Sequence, residues 1–582
     1  MGTISDKLMR IINTKEDIRQ ALISKGYDVP TSIPFKEYAK MILDLPCKVD
    51  SFPDIEGIVA RYSASGLTNE QMAANPVWVD KTGNGHDIQL KNFSWKGMSG
   101  VGGYEMNFNL WRNNVSSIPD ISMSTTTTSV SVSVGNSTYN NNLIYIHISN
   151  WDINKNHWLK VTSTYEDGDL AFIFYNDSNT KKIGLPANGY VNILAYPEFK
   201  GSYMYISTIS NKQGSFTIEQ LPLYPGALVF DGVDDYGVCE NFPILTKEKG
   251  HTVVVLRQWD QDFLNTTLTG GLLSTRNYST GEGVAFEKIE SSNKGYWDLG
   301  AGGIIDFAKS PFTWQTSKQY NNVGILKGDK NHGKPLCVGC GLSGGQQCGR
   351  FAIWELVFLD HDATEEELTK IKDYFVKTYP WLFPDQAWTV VGKTNEDEDR
   401  ATIANITGNG NDLVLSNFGF AEGSGYNEEG EYAGYLVTDG VDDKIISSIF
   451  KMGNDWTVIG DWELINTGKN DNAGIVKFDS IVIYNYNYNS MLINIKNGRN
   501  ILIPDQNTVN AICSDGRIYS KDWKESIYNE ETESTSKNFL TIGYSGNAYT
   551  KNAFKNLAIY PTVLSREDCI KAYNYLQTLK AK

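Results

Sequence analysis

WVDKTGNGHDIQLKNFSW at 78–95 and ATIANITGNGNDLVLSNFGF at 401–420 carry one turn chemistry twice. Each sets Thr-Gly-Asn-Gly between short apolar runs: Thr82, Gly83, Asn84, Gly85 and Asp87 in the first, Thr407, Gly408, Asn409, Gly410 and Asp412 in the second. Glycine admits positive φ, and Asn and Asp accept bonds from nearby amides, so the cluster marks a turn between strands. A second pair follows, LVFDGVDDYGV at 228–238 and LVTDGVDDKII at 436–446, and after each comes an apolar strand, HTVVVLRQW at 251–259 and DWTVIGDWEL at 455–464. Both copies end in a strand that leads into a helix, 351–379 and 554–579, where Thr364 with Glu367 and Ser565 with Asp568 spell capping boxes. The chain reads as an internal duplication of an all-β unit closed by a short helix.

Spacing then locates an insertion. Thr82 and Thr407 are 325 residues apart but Asp231 and Asp439 only 208, so the first copy holds 117 extra residues. They fall at 112–224, where SVSVSVGNS, LIYIHIS, WLKVTSTYEDGDLAFIFY, YVNILAY and SYMYISTIS alternate with a period of two. That pattern predicts a small β-sandwich inserted in a loop.

Composition bounds the rest. A length of 582 residues exceeds one ordinary core, and 12% aromatic against 21% charged residues is a globular balance rather than a disordered one. The net charge of −16 repels phosphate backbones and anionic lipid, which argues against nucleic-acid binding. No stretch approaches the about 18 apolar residues of a membrane span, and no membrane insertion is expected. MGTISDKLMRIINTKEDIRQ at 1–20 lacks the apolar centre of a secretory leader, so the expectation is folding in the cytoplasm. Seven cysteines, an odd number and mostly scattered, do not form a secreted disulfide framework.

Residues 1–48 differ from the remainder, because apolar side chains recur there at helical spacing. Leu8, Ile11, Ile18 and Leu22, then Phe35 and Tyr38, predict two or three short helices with an apolar stripe. So short a segment buries little surface by itself, so the stripe is expected to dock on a partner or on the chain's own body.

IVARY at 58–62, the TGNG and DGVDD turns and the closing strand plus helix resemble the laminin G-like, concanavalin A-like superfamily in its bacterial and phage form. The resemblance implies a mainly β fold of two antiparallel jelly-roll sandwiches, 50–381 and 385–582, the first interrupted by the insertion. The N-terminal segment is similar to a short helical module at the start of phage tail and fibre proteins. Helical anchor and tandem sandwiches together imply a bacteriophage virion protein, a head or tail fibre or decoration subunit. Made in the host cytoplasm, it would dock on other phage structural proteins through its N-terminal helices and assemble as a homo-oligomer. The superfamily also contains lectins and glycoside hydrolases, so fold alone does not decide function.

Several groups carry possible chemistry. The DGVDD carboxylates suit Ca²⁺, although Asp and Gly also build such turns unaided. Asp461 and Glu463 share one strand face, as a hydrolase pair would, yet the matching residues of the first copy are Leu256 and Gln258. Asp260, Asp262 and the run 396–399 read as solvated loops. His332, Cys337, Cys340 and Cys348 have loose Zn²⁺ spacing, and buried thiols are the competing reading. No cofactor is required. Trp158, Trp354 and Trp456 sit inside apolar strands and read as core. Tyr484, Tyr486 and Tyr488, alternating with Asn, are the candidate carbohydrate-binding face, for host cell-surface polysaccharide or, as an edge strand, for a neighbouring subunit. The reading is non-enzymatic; a capsule-degrading hydrolase on the same fold is the alternative, and a bacterial adhesin a third that lacks its leader.

Overall fold

The computed structural model describes Lys15 and, within 52–581, all residues except 105–107, 111, 114–120, 136–141, 148–156, 176–179, 194–202, 209–212, 246–249, 265, 276–284, 289–293, 297–303, 307–311, 317–334, 343–345, 429–431, 449–452, 466–473, 479–480, 488–489, 496–498, 504–508, 521–522, 524, 528–539, 543–548 and 550. The expected N-terminal helices, with Leu8, Ile11, Ile18, Leu22, Phe35 and Tyr38, lie outside the described residues.

The chain is mainly β, and its described strands form six sheets. In the first sandwich a six-stranded sheet is built around Arg350–Leu359, which pairs with Thr252–Trp259 on one edge and with both Ile58–Ser63 and Leu228–Asp231 on the other. Its partner is a ten-stranded sheet, and Tyr62, Val253 and Phe351 of one meet Trp78, Leu90 and Leu272 of the other in one core. The second sandwich repeats the plan with Asn552–Tyr560 as the central strand, joined to Thr457–Leu464, Gln386–Thr389 and Leu436–Val437. Even the irregularities correspond. The register skips Trp354 opposite Leu256 and Arg257, and skips Lys555 opposite Asp461 and Trp462. A bulge at the same place in both copies is a designed bend of the central strand rather than an accident of either sequence.

Burial follows from this layering. Ile88–Lys91 alternates buried and exposed because one side of its sheet meets water, whereas all eight residues of Thr252–Trp259 are buried, so both of its faces are covered. The closing helices begin at side-chain caps: Thr364 accepts from the Glu367 amide with the reciprocal Glu367 bond present, and Ser565 accepts from the Asp568 amide.

Between Phe108 and Gln220 the chain makes two five-stranded antiparallel sheets with a core of their own, including Val132, Leu159, Phe172 and Ile206. The stems of this insertion are clamped side by side: Tyr224 N donates to Gly102 O at 2.8 Å and Leu223 N to Gly103 O at 3.0 Å. In the second copy the same place is a short hairpin. Gly102 N donates to Ala227 O, and the matching bond runs from Asn427 N to Tyr435 O. With both ends of a loop already held together, closing it around a whole domain costs little more than closing it around a few residues.

Candidate functional site

The DGVDD turn and the hairpin before it form one hydrogen-bonded unit, built twice. In the first copy Asp231 Oδ1 accepts from Val233 N at 2.7 Å, and Asp235 Oδ2 accepts from Asp231 N at 3.0 Å. The other Asp235 oxygen accepts from Ser99 Oγ at 2.9 Å, and Ser99 Oγ accepts from Ser94 N at 2.8 Å. Asn92 Nδ2 ties the hairpin to Asp234 O at 3.0 Å. In the second copy Asp439 accepts from Val441 N at 2.7 Å, Asp443 from Asp439 N at 2.8 Å, and Asn417 Nδ2 donates to Asp442 O at 3.0 Å. Gly232 and Gly440 both have φ near +77°, and a Cβ on Gly232 would stand 2.8 Å from Arg350 Cβ. Burial, reinforced by the Asp231 charge, pushes Asp235 up to about 7; burial pushes Asp443 up to about 6.

One carboxylate oxygen from each of Asp231, Asp234 and Asp235 lies within 4.8 Å of the others, and the same holds for Asp439, Asp442 and Asp443. These are the residues that would hold a hard cation such as Ca²⁺. In the first copy, however, both Asp235 oxygens are already taken, by the Asp231 amide and the Ser99 hydroxyl, which is the donor set of a turn; in the second, Asp443 Oδ2 accepts the Asp439 amide while its Oδ1 is buried without a hydrogen-bond partner among the described residues. The TGNG turn is similar. Asp80 Oδ1 accepts from Arg61 N at 3.1 Å and Thr82 N at 3.0 Å, and Asn405 Oδ1 from Ala387 N at 3.3 Å and Thr407 N at 3.0 Å.

Asp461 sits on the face of Thr457–Leu464 opposite the core residues Val458 and Trp462. Tyr435 Oη donates to its Oδ1 at 3.0 Å and Gln577 Nε2 to its Oδ2 at 3.2 Å. Burial first, and then the Asp461 charge, holds the Tyr435 and Tyr573 phenols well above their usual range. Asp461 therefore fastens the C-terminal helix, Arg566–Gln577, to the sheet. Asp260 is more engaged than a solvated loop requires, accepting from Phe263 N at 2.8 Å and pairing with Arg350 at 3.4 Å, whereas Asp262 is exposed, as expected, and pairs with Lys580.

Cys337, Cys340 and Cys348 are buried with Val238, and Cys340 lies directly opposite Cys348 across a strand pair. Burial, with Cys340 and the Asp231, Asp234 and Asp235 charges adding to it, pushes the Cys348 thiol up to about 12. His332 lies outside the described residues, as does Tyr488. Tyr484 and Tyr486 belong to Ile481–Asn487, which pairs with Gly474–Phe478 on one side and Ser490–Ile495 on the other, so this strand is not an edge. Its backbone is taken up within the sheet, which removes the edge-strand role; only a face is left for recognition. Trp158, Trp354 and Trp456 are buried.

Two arrangements have no counterpart in the reading of the sequence. One is the buried ion pair of Arg61 with Glu355 at 3.2 Å, to which Tyr379 Oη adds a bond at 2.7 Å. The other is a seam around the C-terminal helix. Tyr573 packs on Trp158 of the insertion at 5.2 Å and on Trp523 of the second sandwich at 5.7 Å, and Tyr575 Oη lies 3.4 Å from Gln258 Oε1 of the first. The signal was present in CIKAYNYL, 569–576, which is apolar or aromatic nearly all round instead of along one stripe.

No family model matches the chain, and neither does any curated protein. Among solved structures, Trypanosoma rangeli sialidase in complex with sialic acid is 9% identical over 79% of this chain and 85% of its own, with a TM-score of 0.25. The botulinum neurotoxin type G receptor binding domain is 12% identical over 33% of this chain and 50% of its own, with a TM-score of 0.21. A structure described as an HCR/D F1240A mutant is 10% identical over 33% of this chain, with a TM-score of 0.25, and there too the chain spans 50% of the matched protein's length.

Proposed function

We propose that this chain is a structural, non-enzymatic display protein of a bacteriophage particle, a head or tail fibre or decoration subunit whose sandwiches present a lectin-like surface to host polysaccharide or a partner protein. The observation that carries the reading is the duplicated turn unit, whose carboxylates accept bonds from the chain's own amides in both copies. A fold repeated with its turn chemistry intact, and enlarged by a third sandwich at a clamped loop, is organised to position surfaces. Both oxygens of Asp461, the best placed acid, are bonded to Tyr435 and Gln577, which leaves it poorly suited to act as acid or base. Docking falls to the N-terminal stripe of Leu8, Ile11, Ile18, Leu22, Phe35 and Tyr38, and Tyr484, Tyr486 and Tyr488 are the glycan face to test first. Purified particles probed for the protein, with a released-sugar assay on host capsule alongside, test the reading. Presence in particles without sugar release is the expected result. Absence from particles overturns the virion role, and sugar release that survives particle removal favours the depolymerase.

A further inference from the structure

In the first sandwich the strand pair Cys340–Leu342 and Gln346–Cys348 sets two thiols face to face. Cys340 lies directly opposite Cys348, and one residue beyond them on each strand Gly349 N donates to Gly339 O at 3.0 Å. Hydrogen-bonded and non-bonded pairs alternate along an antiparallel ladder, so with a bonded pair next to them the cysteines occupy a non-hydrogen-bonded position. There the Cα atoms are about 4.5 Å apart and both side chains leave the sheet on one face. Both cysteines are buried, and they share one contact cluster with Val238 and Cys337. The hairpin is also held from behind. Gly271 pairs with Cys348, and a Cβ on Gly271 would overlap the Gly341 amide nitrogen, so Gly270–Ser274 presses its backbone directly against it. LCVGC at 336–340 is matched in the second copy by LTIGY at 540–544, so the shared fold does not call for these thiols.

We infer that Cys340 and Cys348 are an oxidative modification site, closing into a cross-strand disulfide that staples this hairpin when the chain meets a small soluble disulfide. Such a bond needs Cα atoms about 4.4–6.8 Å apart and Cβ atoms that face each other, and a directly opposite, non-hydrogen-bonded pair supplies both. Cys337 is placed differently. It stands opposite Val238 on one side and Ser274 on the other, so neither strand next to it offers a cysteine at its own register.

Exposure decides the order of events, because Cys348 is 7% exposed and Cys340 0%. Cys348 gives its proton to solvent and its sulfur attacks one sulfur of the reagent, whose S–S bond breaks as the released thiolate takes up a proton. Cys340 sulfur then attacks Cys348 sulfur in the mixed disulfide, the second reagent thiolate leaves with the Cys340 proton, and the protein S–S bond forms. Two protein thiols lose two electrons, and one reagent disulfide gains them to become two thiols. Burial, with Cys340 and the Asp231, Asp234 and Asp235 charges adding to it, pushes the Cys348 thiol up to about 12, which makes its sulfur a poor leaving group. Once closed, the bond should therefore resist exchange in the folded chain.

The test uses the full chain, reduced, then exposed to 2-hydroxyethyl disulfide in two arms, folded and during refolding from urea, with remaining thiols alkylated in denaturant. Trypsin releases a peptide spanning 331–350 that carries Cys337, Cys340 and Cys348 together, and mass spectrometry reads it. The expected product, in the refolding arm at least, has lost two hydrogens and carries a single alkyl group, which fragmentation places on Cys337. Dithiothreitol in denaturant before alkylation should restore three alkyl groups. Cys337→Ser should keep the loss of two hydrogens, and Cys340→Ser should abolish it. Three alkylated or reagent-capped cysteines in both arms, or an alkyl group on Cys340 or Cys348 with Cys337 joined instead, overturns the inference. If a serine variant does not fold, the map of the unaltered protein decides alone.

Discussion

The two copies share a frame and differ in what lies against its outer face. In the first, the outer side of the central strand carries Glu355, paired with Arg61 and bonded by Tyr379. In the second, the residue at the same register is Asn556, and Ala387 stands where Arg61 stands, each backbone amide held by the side chain that opens the TGNG turn. An ion pair has been exchanged for neutral groups without altering the fold. The closing helices diverge as well. Glu365–Thr378 exposes Glu365, Glu366, Lys370, Lys372 and Asp373, whereas Arg566–Gln577 is buried from Cys569 to Leu576 except at Lys571. The comparison teaches that strand register and turn chemistry set the sandwich, while its outer surface is free to be sealed by charge or recruited as a joint.

The largest effect should come from breaking the ion pair on one side. Arg61→Ala leaves Glu355 buried without its cation and should cost the first sandwich about 3–5 kcal/mol in urea unfolding. Adding Glu355→Asn, which reproduces the second copy, should recover at least half of that. A single variant costing under about 1 kcal/mol would mean that Tyr379 alone satisfies Glu355, and the contrast between copies would lose its energetic meaning.

Next in size is the joint. Tyr573→Ala removes a ring packed on Trp158 and Trp523 and should destabilise the chain by about 3 kcal/mol, whereas Lys372→Ala, eight residues past its own cap as Tyr573 is, should stay within about 0.5 kcal/mol. Equal effects at the two positions would show that the helices play the same part.

Much of the fold was legible because its determinants are local. Positive φ at Gly232 and Gly440, and Asp231 and Asp439 each accepting the amide two residues on, are decided within five residues, so the same letters give the same turn. The insertion was legible through an offset in spacing, which needs no contact to be known. The Arg61–Glu355 pair was not, because it spans 294 residues and neither residue has a periodic signature. The sequence around Trp158 predicts a core ring, and the ring is buried; no local pattern tells that its packing reaches a helix more than 400 residues away. The catalytic look of Asp461 and Glu463 has a similar origin: alternation puts two acids on one face, but only the helix laid across that face decides that Asp461 meets Gln577.

A smaller and pH-dependent difference should separate the turns. Asp235 binds its proton more tightly folded than unfolded, so over the range from about 4 to about 7 the folded state holds more protons and stability falls as pH rises. Asp235→Asn should flatten that part of the first sandwich's stability profile relative to the unaltered protein. Asp443→Asn should do the same for the second over a window that ends near 6. Urea midpoints between pH 4.5 and 7.5 read both, and parallel profiles for variant and parent would mean that these carboxylates remain ionised in the fold.

The smallest expected effect is the most pointed. Val233 and Val441 occupy the tips of the two turns and are 74% and 70% exposed. Neither side chain is needed for the turn, because the bonds there use the Val233 and Val441 amides, which any residue but proline supplies. Val233→Ser and Val441→Ser should each change stability by less than about 0.5 kcal/mol. If that holds, a largely exposed apolar group at one position of both copies is left without a structural reason, and any loss of particle assembly or polysaccharide binding in these variants can be assigned to the surface rather than to the fold. A loss of stability above about 1 kcal/mol in either variant would instead place the valine in the packing of the turn, and the two tips would then be part of the frame the copies share.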